Sequence, residues 1–175
     1  MDSVIQTLEP AEGLSREIGL LVAALEQARS KTYEVLSGLS PTEIARKILP
    51  NAHSIGAIAM HLGEVEYWWI QSAAMKREMS EQGKKLSHWQ DTFETDMDKG
   101  FTSEYCIETL KKISLLTREA MASFTDEGLE VLYTRPEIEG RSVSLRWLLQ
   151  NLIDHEANHR GQMAMVKRLI RETED

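Results

Sequence analysis

The chain has 175 residues, 42% of them hydrophobic and 27% charged, with a net charge of -8. That length and balance suit one folded domain spanning 1–175, large enough to bury a core. The acidic surplus repels phosphate backbones, and basic groups such as Lys84-Lys85 and Lys167-Arg168 sit within mixed charge, so nucleic-acid binding is not expected.

Cys106 is the only cysteine, which excludes an internal disulfide and fits a reducing compartment. The start, Met1-Asp2-Ser3-Val4, has no basic segment leading into an apolar stretch, so no signal peptide is expected. No apolar run approaches the roughly 18 residues of a membrane span. The expectation is a cytoplasmic protein with no membrane partner.

The 4 Pro and 10 Gly gather between long stretches of helical periodicity. The first stretch runs from Glu12 to Ser37, with Leu14, Ile18, Leu21, Val22, Leu25, Ala28, Thr32, Val35 and Leu36 on one stripe. Gly38 and Pro41 close it. The second starts after Ser54, a natural N-cap, and carries Ile55, Ile58, Leu62, Val65 and Trp69 into the seventies. Residues 81–100 are polar and read as a long loop, with or without a short helical turn. The third stretch runs from Thr102 or Ser103 to Phe124, with Ile107, Leu110, Ile113, Leu116 and Ala120 facing inward. Residues 130–143 include Val131-Leu132-Tyr133, Pro136 and Glu139-Gly140, and read as a short extended excursion or hairpin. The fourth stretch runs from Ser144 to Arg171, on a stripe of Leu145, Leu148, Leu149, Leu152, Met163, Val166 and Ile170. The pattern predicts an all-α fold, a four-helix bundle with a long connection between its second and third helices.

The chemistry lies on the second and fourth of these helices. His155 and His159 are four residues apart, so they leave one face of a helix together. Continuing the stripe past Leu152 turns both toward the core. Two buried imidazoles need hydrogen bonds or a metal, and i, i+4 histidines are able to bind one ion. His61, at the edge of the second stripe, is placed to face the pair across the bundle. Three neutral imidazoles suit zinc or nickel best, with iron or cobalt also acceptable, and leave coordination positions open. His53, just before the second helix, and His88, in the polar loop, are read as non-ligands.

The string His155-Glu156-Ala157-Asn158-His159 also matches H-E-x-x-H, whose glutamate serves as general base in zinc proteases. The surroundings argue against a protease. Only 16 residues follow His159, Met165 stands where the longer motif needs a third histidine, and Gly161 is one place early. Glu156 remains a candidate catalytic acid, a partner that orients a ligand imidazole, or an acid on the helix surface.

The segment from His155 to Gln162, with Arg160-Gly161-Gln162 after the second histidine, resembles the H-x-x-x-H-R-G-Q signature of the DinB-like family. Ser54-Ile55 followed by His61-Leu62, then Tyr67-Trp68-Trp69, resembles that family's second helix. Element order and length agree over nearly the whole chain. The resemblance implies a four-helix bundle, commonly a homodimer, with a metal on His61, His155 and His159. It implies a metal-dependent enzyme acting on a small-molecule substrate, either a transferase using a low-molecular-weight thiol or a hydrolase. The alternative is a non-catalytic, metal-binding or stress-related bundle. Trp68, Trp69 and Trp147 either wall the pocket or pack in the core or dimer interface. Cys106, in the middle of the third helix, is read as packing.

Overall fold

The computed structural model describes residues 7–89, 101–134 and 142–173. The long helices are α1 (Arg16–Leu36), α3 (Ile55–Tyr67), α5 (Ser103–Met121) and α6 (Leu145–Glu172). Between them lie the short helices α2 (Pro41–Ala45) and α4 (Glu81–Ser87), a π-helical turn at Trp68–Ala74 and a 3-10 turn at Asp126–Glu130. Strands β1 (Leu132–Thr134) and β2 (Ser142–Ser144) form an antiparallel pair in which Tyr133 faces Val143. The all-α bundle expected from periodicity is the observed fold. The two strands of the hairpin expected within 130–143 are present, and the connecting residues 135–141 lie outside those described.

Polar side chains set the helix starts. The Ser54 hydroxyl accepts from Ala57 N, Thr102 from Tyr105 N and Ser144 from Trp147 N, so α3, α5 and α6 begin on N-caps. Ser40 and Glu43 make a capping box on α2. Helix α1 is capped from a distance: Asp126 Oδ1 accepts from Glu17 N at 3.0 Å, Ile18 N at 3.1 Å and the Ser15 hydroxyl at 2.6 Å. It therefore starts at Arg16 and not at Glu12, since Gly13 turns the chain just before it with φ +81°. Inside the stretch read as polar loop, Ser80 caps α4 by accepting from Gly83 N. Residues 90–100 of that stretch lie outside those described.

Helix α1 packs on α6, and α3 lies between α5 and α6. Gly63 allows the close approach of α3 to α5, for a Cβ there would stand 2.8 Å from the Ile113 side chain. The core has two apolar clusters. One gathers Leu36, Ile44, Ile55, Leu62, Leu110, Met163 and Ile170, and the other Ile18, Leu25, Ile70, Met121, Leu145 and Leu149. Along each long helix a polar segment separates the two: Arg29 and Thr32 on α1, His61 to Glu66 on α3, Ser114 to Thr117 on α5, His155 to His159 on α6. The candidate site occupies that belt.

Candidate metal centre

On α6 the fully buried line runs Leu148, Leu152, Glu156, Met163. His155 and His159 lie beside it and are half-buried. This corrects the register read from sequence, where both imidazoles point into the core: a step of four from Leu152 lands on 156. Glu156 takes the core-facing position with 1% exposure, which removes the surface-acid reading. His61 on α3 is likewise at the edge of its apolar face, with its side chain 19% exposed.

At that edge the three rings meet. Centroid separations are 5.1 Å for His61–His155, 5.1 Å for His61–His159 and 4.4 Å for His155–His159. One ring nitrogen from each lies within 4.8 Å of the others. His61 Nε2 and His155 Nε2 are 3.3 Å apart. Nitrogens bound to one tetrahedral ion at about 2.0–2.1 Å stand roughly 3.4 Å from each other, so the pair fits a shared cation.

The electrostatics agree with that donor set. Burial, then the neighbouring His159 and His61, push the His155 imidazole down from 6.5 to about 4, against the opposing pull of Glu156. Burial also lowers His159, opposed by its hydrogen bond to Gln162. Both rings are therefore neutral near pH 7, with lone pairs to offer. The outer nitrogens are engaged as well. His159 Nδ1 donates to Gln162 Oε1 at 2.8 Å, which leaves its Nε2 as the donor toward a cation. Glu64 Oε2 lies 3.6 Å from His61 Nδ1.

Under the rings lies a buried polar network that the sequence reading missed. Arg29 Nε and Nη2 donate to the two oxygens of Glu156, each at 2.8 Å, and Nη2 also donates to Glu66 Oε2 at 2.6 Å. Thr32 donates to Glu156 Oε1 at 2.5 Å, and Thr117 to Glu66 Oε1 at 2.6 Å. Arg29 Nη1 donates to Ser114 Oγ at 3.2 Å and the Leu110 carbonyl at 3.4 Å. The signal was available, for Arg29 falls at stripe spacing between Leu25 and Thr32, Glu66 four residues after Leu62, and Glu156 four after Leu152.

The remaining candidates stand apart. His53 is exposed ahead of α3, although its charge reaches His159. His88 ends α4 in a left-handed conformation, and its Nε2 lies 2.8 Å from the Tyr105 hydroxyl. Arg160 donates to the Ala28 carbonyl at 3.3 Å and so ties α6 to α1. Trp69 packs against Trp68 and Trp147 with centroids 4.7 Å and 5.9 Å away, while Trp147 is 48% exposed. Cys106 is fully buried, and burial pushes its thiol up to about 12, as suits a packing residue.

Fold and donor set together define a helical-bundle protein with three histidines gathered from two helices. Residues 20–172 match the family model of the mycothiol S-transferases, and the chain belongs to that family. It is similar in fold to a DinB-like protein from Bacillus cereus, at 18% identity and a TM-score of 0.65 over 86% of this chain and 91% of that one. It is also similar to a conserved protein from Enterococcus faecalis, at 18% identity and a TM-score of 0.69 over 87% and 96%. A DinB-like protein from Bacillus subtilis matches at 18% identity and a TM-score of 0.60 over 86% and 91%. No curated protein matches the chain.

Proposed function

We propose that this chain is a metal-dependent S-transferase that joins a low-molecular-weight thiol to a small electrophile. The observation that carries the reading is the convergence of three imidazoles, two of them lowered in proton affinity and all at the half-open edge of the bundle. Family membership supports the thiol as co-substrate.

A divalent ion held by His61, His155 and His159, zinc or nickel before iron or cobalt, would supply a Lewis acid that keeps a bound thiol as thiolate at neutral pH. The chain's own part is to hold three neutral nitrogens toward one point. Gln162 fixes the ring of His159, and Glu64 stands beside that of His61. In the transfer the thiol gives up its proton to solvent at the half-open edge, sulfur forms the new bond to the electrophilic carbon, and the leaving group departs with the electron pair of the bond that breaks. We assign Glu156 a positioning part, because its carboxylate hydrogen bonds are taken by Arg29 and Thr32. Three protein ligands leave positions open for thiol, which favours a catalytic centre over a structural one. The reading includes a cytoplasmic location and a homodimer, and light scattering on the purified protein checks the dimer.

The test has two steps. Purified protein should carry near one divalent ion per chain, and His155→Ala and His159→Ala should lose it. Turnover of a model electrophile should then depend on, and saturate with, one member of a thiol panel including mycothiol, bacillithiol and glutathione. Unchanged metal content in both variants overturns the centre, and metal-loaded protein without thiol-dependent turnover overturns the transferase.

A further inference from the structure

The belt beneath the histidines contains a charge imbalance. Arg29, Glu66 and Glu156 are each no more than 2% exposed, and the two carboxylates share one guanidinium through contacts of 2.6 and 2.8 Å. The other described groups bonded to them, Thr32, Tyr33, Thr117, Ser114 and the Leu110 carbonyl, are neutral. With both carboxyls ionised, the cluster carries one negative charge in surplus among the described residues. A buried charge without a counter-ion is costly, and a bundle able to manage with one carboxylate has no structural need for the second.

The placement of the two acids gives the surplus a use. Glu66 is on α3, five residues after His61, and Glu156 is on α6 between His155 and His159. Each ligand-bearing helix thus contributes one carboxylate. Helix α1, which bears no ligand, contributes the cation. The charge of Glu156 acts on both His155 and His159, and that of Arg29 on His155; Glu66 is joined to them through the Arg29 guanidinium that it shares with Glu156. Three neutral imidazoles bring no charge of their own to offset a divalent ion. A fixed anion nearby, screened by protein and not by water, does.

We propose that the Arg29–Glu66–Glu156 cluster is the built-in counter-charge of the three-histidine centre, raising its affinity for a divalent cation while destabilising the metal-free protein. The proposal rests on the metal-site reading above. Glu66 and Glu156 act through the ion's environment and are positioning residues, not ligands. The cluster differs from a mere structural tie between helices in one respect. Neutralising one acid while keeping its shape should weaken metal binding and leave the metal-free fold as stable as before, or more so.

The experiment titrates Zn2+ into metal-free protein against a chelator of known affinity, and records thermal unfolding of the same metal-free samples. Glu66→Gln keeps a hydrogen-bonding side chain five residues from the nearest ligand and removes the surplus charge. Its expected affinity for Zn2+ is about 10-fold lower than the parent's, at the low end of what outer partners of metal ligands contribute. Its metal-free unfolding midpoint should match or exceed the parent's. Thr117→Val removes a hydrogen bond to Glu66 and no charge, so its midpoint should fall while its affinity stays within twofold of the parent's. Glu156→Gln gives the same readout should Glu66→Gln fail to fold. Affinity within twofold of the parent in the charge-neutralised variant overturns the proposal, as does an equal loss in Thr117→Val. Parent protein that binds no Zn2+ overturns this proposal and the metal centre together, whereas absence of thiol transfer by metal-loaded protein touches only the function proposed above.

Discussion

At the scale of single residues, the pair His155 and His159 was legible because an interval of four on a helix places two side chains on one face whatever surrounds them. Their exact facing was not. The stripe of α6 continues through Glu156, and an acid in that slot reads as a break in the apolar pattern until its partner on α1 is known. Gln162 was visible only as part of a signature string, since nothing in a sequence tells that its amide turns back one helical turn to His159. The structure makes its role specific: Oε1 accepts from His159 Nδ1 at 2.8 Å while the residue itself is exposed. Gln162→Leu should therefore fold normally and bind Zn2+ about 10-fold more weakly, the usual loss when a ligand imidazole loses its outer partner. Chelator competition measures that loss, and circular dichroism checks the fold. Gln162→Glu, which retains an acceptor, should recover the binding.

At the scale of elements, the four long helices were legible from their stripes and caps, and two features were not. The π-helical turn at Trp68–Ala74 leaves no mark on periodicity that separates it from a helix end. The start of α1 depends on Asp126, which is 109 residues from Glu17 in the chain. Ser15, the residue at the N-cap position, makes no capping bond with its own side chain. The Asp126 carboxylate accepts from that serine and from two backbone N–H groups. It also places negative charge at the positive end of the helix. The Ser15 hydroxyl first, then the Ile18 and Glu17 amides and Arg146, hold the Asp126 carboxyl below its ordinary value of 3.8. A carboxyl whose folded value is depressed contributes stability that is fully present above its unfolded value. That stability is lost as pH falls through the folded one. Asp126→Asn should therefore lower the unfolding midpoint by a few degrees at pH 7. The gap from the parent should narrow only below about pH 3.8, where the parent's own carboxyl takes up its proton. Thermal scans of both proteins from pH 7 to pH 2.5 measure it. A gap that stays constant across that range would show that the charge of Asp126 plays no part in the cap.

At the scale of the whole molecule, the fold keeps its polar belt in the middle of the bundle, between two apolar clusters, and not at one end. The sequence could reveal each polar residue but not that four helices bring them to one level, because that depends on how each helix slides along its neighbours. The consequence is mechanical as well as chemical. An ion held by His61 and by the pair on α6 would join α3 to α6 across 94 residues of chain, at the level where apolar packing is interrupted. Unfolding separates those helices, so the ion binds the folded state far better than the unfolded one. At free Zn2+ one hundred times the dissociation constant, linkage adds about 2.7 kcal/mol to stability. For a protein of this size that corresponds to a rise of roughly 5–10 °C in the unfolding midpoint. Differential scanning calorimetry with and without chelator should record that rise in the parent. His61→Ala should abolish it, because the remaining pair lies on one helix and no longer spans two. Should His61→Ala keep the full rise, the ion would be held by α6 alone, and the cross-bundle centre would be wrong even with metal bound.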